Sequence, residues 1–165
     1  MAIITTSNIG SAGILAQTAG RSTADQSLTS QTALQDATGH SFPIGANEEW
    51  IVQFDLDIGA VLSTTGLKIA ANAPAGATIN FDVELGQIVV AAANVVYGET
   101  TTVAGAITLA AATLVSITNA GCIANLWVLN GSTAGTVQLQ FAQATSSGTA
   151  LTLKRGSSFF AFRVA

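Results

Sequence analysis

Residues 78–85 read Thr-Ile-Asn-Phe-Asp-Val-Glu-Leu, in which polar and apolar side chains alternate without interruption. A period of two places successive side chains on opposite faces of a strand, so one face is predicted to be buried and the other exposed. Residues 50–58, Trp-Ile-Val-Gln-Phe-Asp-Leu-Asp-Ile, follow the same period, with Trp50 on the inward face. These two segments indicate a sheet that is packed on one side.

Further strands are predicted where β-branched runs are bounded by glycine or turn residues. They cover residues 67–69, 87–97, 106–111, 114–119, 123–129, 137–141, 151–153 and 158–164. Asn130-Gly131 predicts a two-residue type I′ hairpin turn, because both central positions of that turn need a positive φ. About eight to ten short strands without a convincing helix are typical of an all-β, antiparallel β-sandwich or barrel, and a jelly roll is the first choice.

The start of the chain has a different composition. Residues 5–38 are rich in Ser, Thr, Ala, Gly and Gln, and no period of 2 or 3.6 persists there. We therefore predict an extended N-terminal arm or leader over residues 1–38 and one β-sandwich domain over residues 39–165, which fits a chain of 165 residues.

Charged residues make up only 8% of the chain, with nine acids, five bases and a net charge of −4. No Lys/Arg cluster could neutralise several phosphates, so we do not expect nucleic-acid binding. Residues 103–120 are the one candidate membrane span, but Thr and Ser interrupt the run and no basic or aromatic anchors flank it, so we expect no membrane partner. Neutral polar residues at outward positions desolvate at little cost against a partner, which suits a component of an assembly.

Two groups of turn and strand motifs carry a family resemblance. The first group is Gln31-Thr-Ala-Leu-Gln-Asp-Ala-Thr-Gly-His-Ser-Phe-Pro-Ile-Gly-Ala-Asn-Glu-Glu-Trp50 and Gly66-Leu-Lys-Ile-Ala-Ala-Asn-Ala-Pro-Ala-Gly76. The second is Asn130-Gly131, Thr133-Ala-Gly-Thr-Val-Gln-Leu-Gln-Phe-Ala-Gln143 and Leu153-Lys-Arg-Gly-Ser157 before a terminal aromatic strand. Together they resemble the small β-rich virion proteins of tailed bacteriophages.

The resemblance implies a structural protein of the phage particle, not an enzyme, with no catalytic residue and no cofactor. The first expectation is a capsid decoration (cement) protein that forms a homotrimer, binds the major capsid protein and stabilises the shell by bridging capsomers. It would lie on the capsid surface of a virion assembled in the cytoplasm of the bacterial host. The alternative is the tip domain of a head or tail fibre that binds a host-surface receptor. Because only a short arm precedes the β domain, where fibre proteins usually carry long fibrous sequence, decoration is favoured.

Few residues could carry catalysis. His40, the single histidine, lies in a Gly-His-Ser-Phe-Pro turn without a suitably spaced nucleophile and is interpreted as a loop or capping residue. Cys122 lies in an apolar strand without a nearby base and is interpreted as a buried small hydrophobe. Asn130-Gly131-Ser132 matches a glycosylation acceptor, but the hairpin turn is the preferred interpretation.

Four carboxylates would meet if the two most regular strands paired. Asp55 and Asp57 share the outer face of one strand, and Asp82 and Glu84 share that of the other. Such a cluster could bind calcium through its oxygens or act as the carboxylate pair of a glycosidase. The preferred interpretation is a solvated face or one half of a subunit contact, and no metal or catalytic residue is assigned.

The charges are unevenly distributed along the sequence. Residues 1–99 have a net charge of −7 and residues 100–165 a net charge of +3, the latter from Lys154, Arg155 and Arg163. Opposite charges on different faces would steer subunits head to tail into a ring. Alternatively, the two halves interleave within one sandwich and neutralise each other, and the sequence leaves both interpretations open.

Overall fold

A computed structural model describes residues 16–60, 62–89, 92–110 and 119–165 of the chain. Over these residues the protein is all-β, with a single helical turn, α1 (Leu62–Thr65). The strands are β1 (Ala16–Arg21), β2 (Gln26–Leu28), β3 (Gln35–Ile44), β4 (Glu49–Gly59), β5 (Leu67–Asn72), β6 (Thr78–Val89), β7 (Ala92–Thr100), β8 (Ile107–Leu109), β9 (Ala120–Leu129), β10 (Gly135–Ala142), β11 (Leu151–Leu153) and β12 (Ser158–Arg163).

The described strands form two antiparallel sheets. The larger sheet has the order β1-β12-β4-β9-β6-β7, and β11 pairs with both β4 and β2 beside it. The smaller sheet has the order β3-β10-β5-β8. Between β3 and β10 the chain crosses from one sheet to the other at every connection except the β6–β7 hairpin. The prediction of an antiparallel all-β fold is confirmed, and the two sheets share one core as in a β-sandwich.

The core lies between the inward faces of the two sheets. Phe54, Phe81, Phe141 and Phe159 are among its largest fully buried side chains, and Trp50 is buried as predicted. The rings of Phe54 and Phe159 stand 5.8 Å apart across the β4–β12 pair. Burying a side chain of this size contributes about 1.5–3 kcal/mol, so the alternation in β4, β6, β9 and β12 is the main source of stability.

Most strand positions follow the prediction, but one predicted strand is divided between two strands in the structure. The predicted strand over residues 87–97 is split, because β6 continues to Val89 and β7 begins at Ala92 as its antiparallel partner. Of the strand predicted over residues 114–119, only Asn119 belongs to the described part of the chain.

Asn130-Gly131 does not form the predicted hairpin. It follows β9 in the larger sheet and leads to β10 in the smaller sheet, and neither residue has a positive φ. Asn130 is buried, and its Nδ2 donates to the carbonyl oxygens of Gly45 at 2.7 Å and Thr133 at 2.9 Å. The side chain thus holds an inter-sheet corner, which the sequence pattern does not distinguish from a hairpin because both join two alternating strands.

Glu48 strengthens the same end of the sandwich. Its carboxylate accepts hydrogen bonds from the Gly45 N–H at 2.7 Å and from Trp50 Nε1 at 3.0 Å, and it forms an ion pair with Arg163 at 2.7 Å. Although burial by itself would raise the pKa of Glu48, the hydrogen bonds from Gly45 and Trp50 and the charge of Arg163 lower it below its usual value. Glu48 therefore links the β3–β4 connection to the last strand.

Residues 16–38, predicted to belong to the arm, contribute β1, β2 and the first part of β3 to the sheets. β1 pairs with β12 from Ala16 to Arg21, β2 pairs with β11, and the predicted boundary at residue 38 falls inside β3. A Cβ at Gly20 would stand 2.6 Å from the Gly39 carbonyl oxygen, so β1 packs directly against β3. β1 and β2 are held by pairing with β12 and β11, which lie much later in the chain, so the local sequence does not indicate these strands. Residues 1–15 of the predicted arm are outside the described part.

Candidate functional site

The outer face of the larger sheet is the candidate functional surface. The large hydrophobic side chains that are exposed in the described residues all lie on it: Ile51, Tyr97, Ile123, Leu129 and Phe160. Half-buried Phe162 and Trp127 flank Ile51 on the neighbouring strands β12 and β9. Because apolar residues on the surface of a monomer are usually scattered singly, their gathering on one face indicates a surface for binding another molecule.

The same face carries six of the nine carboxylates of the chain. They are Glu49, Asp55, Asp57, Asp82, Glu84 and Glu99, at outward positions of β4, β6 and β7. Arg21 on β1 is the one basic side chain that a described strand places among them. The face therefore combines exposed apolar groups with a strongly negative rim.

Three hydrogen bonds fix polar side chains on this face. Trp127 Nε1 donates to Glu49 Oε1 at 2.6 Å, and Asn125 Nδ2 donates to Asp82 Oδ2 at 2.9 Å, each across one strand pair. Gln53 Nε2 donates to Asp55 Oδ1 at 2.9 Å along β4. These bonds hold the carboxylates and the indole ring in place, so a partner would meet a partly ordered surface.

The predicted cluster of four carboxylates does not form, because β9 lies between β4 and β6. Asp55 and Glu84 stand opposite Ile123 from its two sides, and Asp82 stands opposite Asn125. Two strand spacings of about 4.8 Å therefore separate the acids of β4 from those of β6. In the described part of the chain no three His, Cys, Asp or Glu side chains are placed to hold a metal ion.

A shallow depression of about 430 Å³ lies at the end of this face. Asp55, Asp57, Gly121 and Arg155 are among its lining residues. A Cβ built at Gly121 would meet no atom within 4 Å, so the glycine leaves the surface open beside Asp57.

His40 is not the predicted loop residue. It lies in β3, fully buried, with its ring 6.4 Å from that of Phe54 and 6.2 Å from that of Phe159. Burial lowers the pKa of His40 below 6.5, although its hydrogen bond with the Thr38 carbonyl opposes this shift. His40 shares the inward phase of Phe42 and Ile44, and the alternation is broken only between Ala37 and His40, where Gly39 has a φ of 83° at a shift in the β3–β10 register.

Cys122 is buried, as predicted. Its burial raises the pKa of the thiol to about 12. The thiol therefore stays protonated at neutral pH and is a poor nucleophile.

The basic residues near the end of the chain are divided between internal pairs and the surface. Lys154 forms an ion pair with Asp25 at 3.2 Å, and Arg163 forms one with Glu48 at 2.7 Å. The pKa of Asp25 is lowered by the hydrogen bond from the Arg155 N–H and by Lys154. Two of the three late bases thus interleave with early acids, whereas the Arg155 side chain is exposed.

The outer face of the smaller sheet has a different character. Its outward residues are mainly neutral hydroxyls and amides: Ser41, Asn72, Thr108, Thr136, Gln138 and Gln140, with Pro43 on the edge strand β3. Asp36 and Lys68 are its charged members; Gln140 Nε2 donates to Asp36 and Lys68 Nζ donates to the Thr32 carbonyl.

The apolar residues on the outer face of the larger sheet were missed by the sequence analysis. The sequence did contain a signal for them. Ile51, Ile123 and Phe160 occupy outward positions of the strands, where the alternation predicts polar side chains. An apolar residue in the outward phase of a strand marks surface that is exposed despite its solvation cost.

Comparisons with protein-family models, with curated proteins and with solved structures gave no match to this chain. Within the described ranges, no helix has the length and apolar character needed to cross a membrane.

Proposed function

We propose that this protein is a structural component of a tailed-phage particle, a decoration protein that binds the major capsid protein, forms a homotrimer and bridges neighbouring capsomers. The mechanism is adhesive rather than catalytic. Each copy buries apolar and neutral polar surface against the shell and against its sister subunits, and the added contact area resists the internal pressure of the genome. The capsid surface, reached in the host cytoplasm, is its proposed location.

The observation that carries this proposal is the outer face of the larger sheet. Its exposed side chains include Ile51, half accessible at 51%, and Phe160 at 49%. Burying the exposed half of each such side chain contributes roughly half of the 1.5–3 kcal/mol of a complete burial, so several of them together can hold a subunit in place. The acidic rim adds selectivity, because it favours a partner with basic groups around an apolar centre.

We further propose that the sandwich is a jelly roll. The strand orders β1-β12-β4-β9 and β3-β10-β5-β8 give two four-stranded antiparallel sheets between which the chain crosses repeatedly. This arrangement supports an eight-stranded jelly roll, with the β6–β7 hairpin inserted as an extension of one sheet. Viral capsid domains are among the proteins that use this fold.

We further propose that the predicted arm, residues 1–38, clamps a neighbouring subunit. Because β1, β2 and the start of β3 lie within residues 16–38, the deletion that tests the clamp is restricted to residues 1–15. Removing residues 1–38 would also delete β1, β2 and the start of β3, and would unfold the domain. Deleting residues 1–15 is expected to lower capsid occupancy without changing the urea midpoint of the β domain. A truncated protein that binds shells as well as the full chain would overturn the clamp.

The test of the proposed function is binding to purified shells that lack the protein. We expect saturable binding at copy numbers in the hundreds per particle, read from a stained gel, and increased resistance of the decorated shell to heat. Ile51→Ser with Leu129→Ser should lose binding, whereas the matched pair Thr108→Ser with Thr136→Ser on the smaller sheet should retain it. Shells that remain bare, or equal binding by both double variants, would contradict the proposal.

The alternative is a head- or tail-fibre tip that recognises a host-surface receptor through loops at one end of the sandwich. Such a module would gather exposed aromatic and acidic residues on loops. Among the described residues the exposed large apolar side chains lie on strands, which supports decoration. A few copies per particle, together with binding to host cells, would favour the fibre.

A further inference from the structure

The five basic residues are not equivalent. Lys154 and Arg163 are paired with acids of their own chain, and Lys68 donates to the Thr32 carbonyl beside the smaller sheet. Arg21 and Arg155 remain exposed, and neither side chain has an ion-pair partner in the described residues. Arg155 lies near Asp25, Asp55 and Asp57 of its own chain without an ion pair to any of them, so both arginines can still contact acids of another molecule.

Arg21 and Arg155 lie together at one corner of the larger sheet. They line one depression of about 420 Å³ with Ser22, Thr23 and Gly156. Phe160, on the strand next to β1, stands directly opposite Ala19 and is exposed on the same face. We call Arg21, Arg155 and Phe160 the arginine corner.

The opposite edge of the sheet has the complementary charge. Asp82 on β6 stands directly opposite Glu99 on β7, and Glu84 stands directly opposite Tyr97. Tyr97 is 70% exposed, the largest value among the large hydrophobic side chains described. Like charges directly opposite each other across a strand pair are destabilising, so Asp82 and Glu99 favour a nearby cation. We call Asp82, Glu84, Tyr97 and Glu99 the acidic edge.

Arg21 lies far from the acidic edge of its own molecule. β1 and β7 are the end strands of the path β1-β12-β4-β9-β6-β7, so five strand intervals separate them. At about 4.8 Å per interval the separation is roughly 24 Å, well beyond the screening length of about 8 Å at physiological salt. Arg21 can therefore neutralise the acidic edge only of a second molecule, whereas Arg155 also lines a depression with Asp55 and Asp57 of its own chain.

We propose that the arginine corner of one copy docks on the acidic edge of a second copy, head to tail. This contact deepens the proposed function, on which it rests for its biological setting, by naming the surfaces that join the subunits. The charges are complementary, and each side offers one exposed aromatic ring, Phe160 or Tyr97. Stacking the outer faces of two copies directly on each other would instead oppose acids to acids. A contact between two different surfaces closes into a ring when the rotation between copies permits it.

The experiment measures the mass of the purified full chain against concentration by sedimentation velocity, at low and at high salt. We expect a closed species of three or more copies that dissociates as salt rises. The double variant Arg21→Glu, Arg155→Glu should weaken self-association about tenfold or more, because both new side chains would repel the carboxylates of the acidic edge. The single variant Lys68→Glu is the matched control for the single variant Arg155→Glu. Lys68→Glu should associate like the unaltered protein.

A mixing test identifies the partner surface. Asp82→Lys with Glu99→Arg reverses the acidic edge, and this variant alone should also fail to associate. An equimolar mixture of the two reversed proteins should associate again, because each reversed surface meets its complement on the other protein. Circular dichroism of each variant checks that the sheets are intact.

Several outcomes would overturn the inference: an unaltered protein that is monomeric at every concentration, one that stops at two copies, or a mixture that stays dissociated although both variants are folded. Failure of the proposed function is a separate result. A protein that assembles through this contact but binds no shell contradicts decoration, whereas one that decorates shells as a monomer contradicts the contact.

Discussion

The two outer faces of the sandwich rest on the same core and differ in what they present to the outside. The larger sheet exposes Ile51, Phe160 and their apolar neighbours within a rim of six carboxylates. The smaller sheet exposes mostly hydroxyl and amide groups, with Asp36 and Lys68 each hydrogen-bonded to a nearby group of the same chain. The inward residues of each strand are set by burial in both sheets, so the two sheets differ mainly in their outward residues. The binding role that we propose accounts for this difference.

The largest expected effect separates the inward from the outward aromatic residues. Phe54→Ala removes a fully buried ring and should lower the free energy of unfolding by about 3–5 kcal/mol, through lost burial and the cavity left behind. Phe160→Ala, outward on the adjacent strand, should change it by no more than about 0.5 kcal/mol. Urea titration followed by tryptophan fluorescence measures both. A comparable loss in the two variants would mean that the outer face belongs to the folded core of the monomer.

A smaller effect is expected at the corner between the sheets. Asn130→Ala leaves the Gly45 and Thr133 carbonyls without their buried donor and should cost about 1–3 kcal/mol. Asn125→Ala on the outer face loses one exposed bond to Asp82 and should cost no more than about 0.5 kcal/mol. The same urea titration applies, and equal costs would show that the corner does not depend on this amide.

Acidity should act on the core through His40. Its pKa is lowered by burial, so the unfolded chain binds the proton more readily than the folded one. The stability that neutral His40 contributes to the folded state is fully present above pH 6.5, the usual pKa of the group. It is lost as the pH falls from there through the folded-state pKa. The urea midpoint should therefore fall between pH 7 and pH 5. His40→Gln should flatten this dependence, and an unchanged slope in that variant would assign the effect to another group.

The smallest effect is expected on the smaller sheet. Thr108→Lys adds a charge to an exposed outward position and should change neither stability, within about 0.5 kcal/mol, nor association. Ile123→Lys places the same charge between Asp55 and Glu84 on the larger sheet and should alter association while the fold is kept. Sedimentation velocity compares the two. If Thr108→Lys disturbed assembly more than Ile123→Lys, the roles of the two faces would be exchanged.

The sequence was sufficient for the strands whose inward residues repeat strictly, such as those containing Phe54 and Phe81, because burial on one face imposes that period. It was insufficient for pairing, because β4 and β6 are separated by β9, which lies much later in the chain. The predicted cluster of Asp55, Asp57, Asp82 and Glu84 depended on that pairing and was wrong for this reason. A local pattern specifies which face of a strand is buried but not which strand lies beside it.

The errors at His40 and Asn130 have local causes. His40 shares the inward phase of Phe42 and Ile44, but the Gly-His-Ser-Phe-Pro segment was interpreted as a turn, so this phase was not extended back to residue 40. Asn130-Gly131 has the composition of a tight turn but uses its amide to bind two carbonyls at an inter-sheet crossing. The strands within residues 16–38 were missed for a different reason, because they are held by pairing with β12 and β11, much later in the chain.

The pairing of β1 with β12 has a consequence for synthesis. Ala16 lies opposite Arg163, so one boundary strand of the larger sheet waits for its neighbour until β12 has left the ribosome. Topologies dominated by such distant pairings fold slowly, on the order of milliseconds to seconds. The nascent chain would thus carry its apolar, acid-rimmed surface before the β1 strand is docked, and the net negative charge would help to keep growing copies apart.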